Sequence, residues 1–274
     1  MSEKVEDNFK VFANTFCIGK NISENYKVLI DVKKSYRIPI FQRPYSWNID
    51  IVSKFIIDII NSYISSDGQI LKRPIFVGTI QLSEPKINKY DIIDGQQRLT
   101  TLLLFFKVLN EKSQKTLQLD WLETVVNNGE QQRSLNEVMD KNIYAVHETI
   151  DNRYLNKRYP NNRYAQNILV IHQILEDINR QRNNFQINDF IDYLLSKVYF
   201  VVIETHAGLS KTLQIFDTIN TTGLSLDGSD IFKIRIYEYL TTVKHEDESI
   251  FDEISGLYEK LEISNKDHQK GISF

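Results

Sequence analysis

Asp94-Gly95-Gln96-Gln97-Arg98-Leu99-Thr100-Thr101 gathers a carboxylate, two carboxamides, a guanidinium and two hydroxyls within eight residues. At the first turns of a helix that combination suits an anion, above all a phosphate. Backbone N–H groups and the helix dipole attract the anion, and Arg98 adds a planar, two-pronged cation. Gly95 lets the backbone come close. The same spacing also describes a plain helix start, with Asp94 as N-cap, Gln97 as the other half of a capping box, and Arg98 solvated in the first turn. Residue types alone leave both readings open.

Three further segments bear on the choice. Phe41-Gln42-Arg43-Pro44-Tyr45-Ser46-Trp47 carries an amide, a cation and two more aromatic rings on an extended stretch. It suits an anion clamp beside an aromatic wall for a base, or simple packing of proline-flanked rings. Phe76-Val77-Gly78-Thr79-Ile80 places a glycine inside a strand pattern, which marks close approach of another chain segment or a ligand. Asn220, Thr221, Thr222 and Gly223, followed by Asp230 and Lys233, read as a tight turn between helices, and a helix C-cap explains them equally well.

The elements that must position these residues are readable from periodicity. Tyr36 to Trp47 is β-prone, but two prolines make it an edge strand or a structured loop. Val52, Phe55, Ile56, Ile59 and Ile60 recur at helical spacing behind Asp50, the expected N-cap. Pro74–Leu82 and Tyr90–Asp94 read as a β-hairpin, and the second strand runs directly into a helix from Gly95. Leu99, Leu102, Leu103, Phe106 and Leu109 mark one face of that helix. Leu104, Phe105 and Val108 make its other side apolar, so it is expected to be central and buried. Residues 113–163 read as short helices and loops, 165–178 and 187–195 as helices, and Val198–Ile203 as a strand. Helices are expected near 211–219, 229–240 and 249–261. The resulting fold class is α+β, with a core over residues 10–112 and a mostly helical region over 113–274.

Composition narrows the function. Thirty-three Lys and Arg against 36 Asp and Glu give a net charge of -3, so contact with nucleic acid must come from a local patch. One such patch is Arg153 to Tyr164, with four cations (Arg153, Lys157, Arg158, Arg163), three tyrosines and no acid. It suits phosphate contact and base stacking, or is a surface loop leading into a helix. Lys244 to Lys270 holds eight acids and four lysines, so its outer face is expected to be solvated or to meet a partner. A single Cys17 excludes intrachain disulfides and cysteine-based zinc clusters. No signal peptide and no long apolar run is present, which points to a cytoplasmic protein without membrane contact. No Walker A pattern occurs, so any nucleotide site is of another type.

Taken in order, Q-R-P-Y-S-W, F-V-G-T-I, I-I-D-G-Q-Q-R-L-T-T-L and F-x-x-I-N-T-T-G-x-x-L with its downstream D-x-x-K resemble the N-terminal domain of GmrSD-type modification-dependent restriction proteins. The resemblance runs from about Tyr36 to Tyr239 and implies a ParB/sulfiredoxin-like fold, a small mixed sheet with helices. It implies a site in which Asp94, Gln97 and Arg98 are catalytic and Gln42, Arg43, Gly95, Gln96, Thr100 and Thr101 bind the nucleotide. Sulfiredoxin relatives carry a catalytic Cys in the equivalent motif. Here Gln96 and Gln97 stand there, which argues against sulfinic acid reduction.

The implied activity is binding and hydrolysis of a nucleoside triphosphate (GTP, ATP, CTP or UTP) that licenses cleavage of modified DNA in phage defence. The cutting belongs to a separate HNH nuclease domain or subunit, and an oligomer is possible. In this scheme Arg98 neutralises phosphate oxygens and Gln97 orients water, while Asp94 holds Mg²⁺ or only caps the helix. Arg153, Lys157, Arg158 and Arg163 are the candidate DNA contacts. The alternatives are a DNA-sensing module without turnover, or a ParB-like nuclease using carboxylates such as Asp91, Asp94, Asp217, Asp227 and Asp230.

Overall fold

The computed structural model describes residues 10–19, 26–126, 129–140, 162–207, 212–213, 215–216, 235–241, 243–246, 250–251 and 253–257. In chain order the elements are β1 (Lys10–Cys17), β2 (Lys27–Val28), β3 (Ser35–Ile38), α1 (Ile49–Tyr63), β4 (Ile75–Lys86), β5 (Lys89–Asp94), α2 (Gln96–Lys112), β6 (Leu122–Thr124), α3 (Glu130–Asp140), α4 (Arg163–Gln181), α5 (Ile187–Lys197) and β7 (Val198–His206). The seven strands form one mixed sheet in the order β2-β1-β7-β4-β5-β3-β6. The fold class is α+β.

β7 lies between β1, antiparallel to it, and β4, parallel to it. Its unbroken apolar run suits that central place, because a strand covered on both faces needs no polar alternation. β4 and β5 form the expected antiparallel pair, turned at Asn88 with φ 61°. A small polar residue tolerates that left-handed conformation best after glycine. Two of the seven strands, β6 and β7, come from beyond residue 112, so the 10–112 core takes sheet partners from the second half of the chain.

The main core lies between the sheet and the helices, where Tyr63, Phe105, Phe106, Trp121, Phe190 and Phe200 are almost fully buried. α2 is buried on every side, as its apolar circumference requires. Ile92 belongs to this core, while its neighbour Ile93 joins a second cluster with Ile40, Leu213, Phe216, Tyr237, Phe251 and Ile254. Successive strand residues point to opposite faces, so the second cluster covers the other face of the sheet.

Three expectations need correction. The strand begun at Tyr36 stops at Ile38, before Pro39, and β3 is an inner strand between β5 and β6. Pro39 can donate no ladder bond, and its effect is confined to the residues that follow the strand. The N-cap of α1 is Asn48, whose side chain accepts from the Ile51 N–H at 3.0 Å, and Asp50 sits inside the first turn. The polar stretch after Ser113 contains β6 and the buried Trp121, whose carbonyl accepts from the Tyr36 N–H at 2.8 Å.

His172 on α4 is half-buried beside the Lys112–Glu176 ion pair. Burial, reinforced by the Lys112 charge, holds its imidazole down to about 4, below the ordinary 6.5. Between these values the unfolded chain binds a proton that the folded chain does not, so stability is expected to fall as pH drops from about 6.5 to about 4. Urea midpoints at pH 7 and pH 5 should differ in wild type, and the difference should shrink in His172→Gln.

Candidate functional site

β5 ends at Asp94, opposite Gln81, and β4 upstream of Gln81 has no β5 partner on that side. The chain turns at Gly95, with φ 92° and ψ 3°, and enters α2. A Cβ at Gly95 would lie 3.0 Å from Ile80 Cγ1 and 3.3 Å from the Ile80 Cα, so both the conformation and the contact with β4 require glycine. Gly95 is the N-cap and no side chain caps the helix. The first intrahelical bond is Leu99 N–H to Gly95 C=O, which leaves the N–H groups of Gln96, Gln97 and Arg98 ahead of it, the positive end of a seventeen-residue helix. The capping-box reading is therefore wrong. Asp94 precedes the cap, and its half-buried carboxylate has no hydrogen bond or ion pair among the described residues.

Gln97 turns away from its own helix end. Its Oε1 accepts from Ser46 N–H at 2.9 Å and Trp47 N–H at 3.2 Å, and its Nε2 donates to Pro44 C=O at 3.2 Å. Gln96 donates to Gln42 Oε1 at 3.1 Å, and Gln42 Nε2 donates to Ile93 C=O at 3.0 Å. The two glutamines are thus latches for residues 42–47, which have no helix or strand of their own. Gln97→Ala removes three of those bonds and is expected to destabilise the fold by about 1–3 kcal/mol. Chymotrypsin should then cut after Tyr45 or Trp47 faster than in wild type.

Arg98 lies across Gly78, where an added Cβ would come 2.9 Å from Nε, and its Nη1 donates to Thr79 C=O at 3.2 Å. Gly78 sits in the irregular stretch of β4 with φ 125°. The glycine in this strand therefore makes room for the arginine side chain. Among the described residues Arg98 has no carboxylate partner, and the exposed Arg43 has no hydrogen bond or ion pair.

The other expected site residues are buried in the fold. Thr100 and Thr101 are 2% and 0% exposed. Thr101 Oγ1 donates to Gln97 C=O at 2.8 Å and stands 2.8 Å from Tyr45 Oη. Tyr45 stacks on Tyr164, with centroids 5.1 Å apart and planes at 15°, and burial pushes its phenol well above the usual range. Trp47 packs against Phe55. These rings pack inward, which favours the packing alternative over an aromatic wall for a base. Sequence reasoning missed Asn167 of α4, which is fully buried and donates to Tyr45 Oη at 3.0 Å and to Trp47 C=O at 2.9 Å.

Arg153, Lys157 and Arg158 lie outside the described residues, as do Asn220 to Gly223, Asp217, Asp227, Asp230 and Lys233. Arg163 is exposed at the start of α4 and donates to Gln166 Oε1 at 3.1 Å. No group of three or more His, Cys, Asp or Glu side chains is arranged to hold a metal ion among the described residues. No helix among them is long and apolar enough to cross a membrane. A groove of about 940 Å³ lies apart from the start of α2, between Leu103, Asn110, Leu122, Arg133, Leu135 and Met139. Its walls are mainly apolar, and the residues with anion chemistry gather at the other end of the helix.

Comparison with known families gives one finding. A family model described as "GmrSD restriction endonuclease, N-terminal domain" matches residues 26–237. No curated protein matches the chain.

Proposed function

This chain belongs to the family of GmrSD restriction endonuclease N-terminal domains and is a restriction-system component; on that premise we propose that the start of α2 binds and hydrolyses a nucleoside triphosphate. Hydrolysis would license DNA cleavage by a separate HNH nuclease domain or subunit. One observation carries the reading: an uncapped helix start at Gly95, with the Arg98 guanidinium seated beside it over Gly78 and no carboxylate partner among the described residues. Free N–H groups together with a cation that forms no ion pair among the described residues favour a phosphate.

In this reading the N–H groups of Gln96, Gln97 and Arg98 hold phosphate oxygens, Arg98 stabilises the charge that develops in the transition state, and Arg43 approaches from the latched segment. Gln96 and Gln97 keep that segment in place. The bonding of Gln97 to three backbone groups fits a latch better than a group that orients water. Asp94 would supply one of the one or two protein carboxylates that Mg²⁺ takes beside phosphates and water; Mg²⁺ would supply further charge neutralisation there. Thr100 and Thr101 support the helix from inside.

The rival assignment of nuclease chemistry to this chain has less support. Asp91, one of its candidate carboxylates, is engaged by Arg37 Nε at 2.7 Å and Nη2 at 3.0 Å. The nucleotide reading is tested by phosphate release from GTP, ATP, CTP and UTP, with and without glucosylated or methylated DNA. Turnover of at least one triphosphate is expected, rising with modified DNA. No release above background from any of the four, under either condition, ends the reading.

A further inference from the structure

The segment from Gln42 to Trp47 is irregular backbone, yet it is fastened at nearly every residue. Gln42 is held to the Ile93 carbonyl, Pro44 C=O to Gln97, and the Ser46 and Trp47 N–H groups to Gln97 Oε1. From the side of α4, Asn167 spends its amide nitrogen on Tyr45 Oη and Trp47 C=O. Arg43 differs. It is exposed, its side chain has no hydrogen bond or ion pair among the described residues, and Pro44 confines its backbone to extended conformations. A segment clamped from two helices that leaves one cation unclaimed is arranged to present that cation.

Asn167 is a costly residue for its place. It is fully buried, and its Oδ1 has no hydrogen-bond partner. An apolar side chain would pack in mid-helix without leaving a buried acceptor unsatisfied. Its two donor bonds are what a packing residue could not provide. They also begin a chain of bonds whose direction is fixed at both ends: Asn167 can only donate to Tyr45, and Thr101 uses its hydrogen on Gln97 C=O, so Tyr45 donates to Thr101. The chain runs from α4, through the clamped segment, into the first turn of α2.

We infer that Asn167 is a positioning residue that sets Arg43 against the phosphate-binding start of α2. The inference rests on the nucleotide reading of that helix start and adds to it an element, α4, that touches no phosphate itself. Within the clamped segment, Arg43 is the group that meets the triphosphate.

The test is a double-mutant cycle. Titration calorimetry with each of the four nucleoside triphosphates is run on wild type, Asn167→Leu, Arg43→Ala and the double variant, with hydrogen exchange followed over residues 42–48. Each single change is expected to weaken binding about 10-fold, the scale of one charge-assisted contact, and the double variant no more than either. Exchange at Ser46 and Trp47 should accelerate in Asn167→Leu while exchange across Leu102–Leu109 stays as in wild type, which a general loss of structure would not produce. Tyr45→Phe keeps the ring and removes only the hydroxyl. It serves where Asn167→Leu yields no folded protein, with about 3-fold weaker binding expected from one lost neutral bond. Unchanged affinity in the positioning variants, or independent losses that multiply to about 100-fold in the double variant, would overturn the inference. Absence of any binding to wild type would instead remove the nucleotide reading, and exchange at Ser46 and Trp47 then decides the clamp by itself.

Discussion

Arg98→Ala is expected to lower kcat/KM for triphosphate hydrolysis by about 10²- to 10³-fold, the usual effect of deleting one preorganised donor at a developing charge, about 2.7–4 kcal/mol. The guanidinium is held between the bulged stretch of β4 and the first turn of α2, and its Nη1 bond to Thr79 C=O fixes its direction. The loss should appear chiefly in kcat, because the helix N–H groups still bind the ground state. Arg98→Lys keeps the charge but not the planar fork, so it should recover only part of the rate. Since Arg98 also donates to the Thr79 carbonyl, the Ala variant should lose about 1 kcal/mol of stability. Phosphate release and thermal unfolding on the same samples separate the two effects. Equal turnover in wild type and Arg98→Ala would remove the role assigned to this arginine.

The second large effect is expected at Gly95, and it concerns folding. Gly95→Ala forces a Cβ onto a residue at φ 92° and places it 3.3 Å from the backbone of Ile80, in the wholly buried part of β4. Backbone strain of about 1–3 kcal/mol adds to overpacking of about 1–3 kcal/mol, and a strand backbone has little freedom to move aside. Together they give a loss of about 2–6 kcal/mol, seen as a melting temperature lower by about 5–20 °C in a chain of this size. A melting curve unchanged within a degree would show that the turn into α2 relaxes freely. The capping-box alternative makes the opposite forecast, since it assigns the cap to Asp94 and gives glycine no special place.

Much of this architecture was legible in the sequence. The β4–β5 hairpin, the all-round burial of α2 and the existence of strand β7 follow from period-2 patterning, continuous apolarity and β-branched content, which act over a few neighbouring residues; the place of β7 between β1 and β4 does not. β6 was not legible. Three residues in a polar stretch become a strand because Tyr36 and Trp121 pair across 85 positions, and no local pattern records that. The candidate site divides in the same way. Its motif residues could be found because helix-start chemistry is written in consecutive positions, but the spacing of Asp94 and Gln97 fits a cap and a latch alike. Only the location of Ser46 and Trp47 decides between them. Asn167 leaves no local signal, since the second of two adjacent carboxamides, Gln166 and Asn167, acquires its meaning from Tyr45, 122 positions earlier.

β7 takes an inner place in the sheet, between β1 and β4, although it is the last of the seven strands along the chain. Until His206 has been synthesised, β1 and β4 have no common neighbour, and each presents an open row of amides and carbonyls to whatever strand arrives first. The nascent protein is therefore most vulnerable to mispairing just before that point, and closure must wait for a contact that spans more than a hundred residues. A fragment ending at residue 112 should aggregate when expressed by itself, and a separately supplied peptide carrying β7 could rescue it.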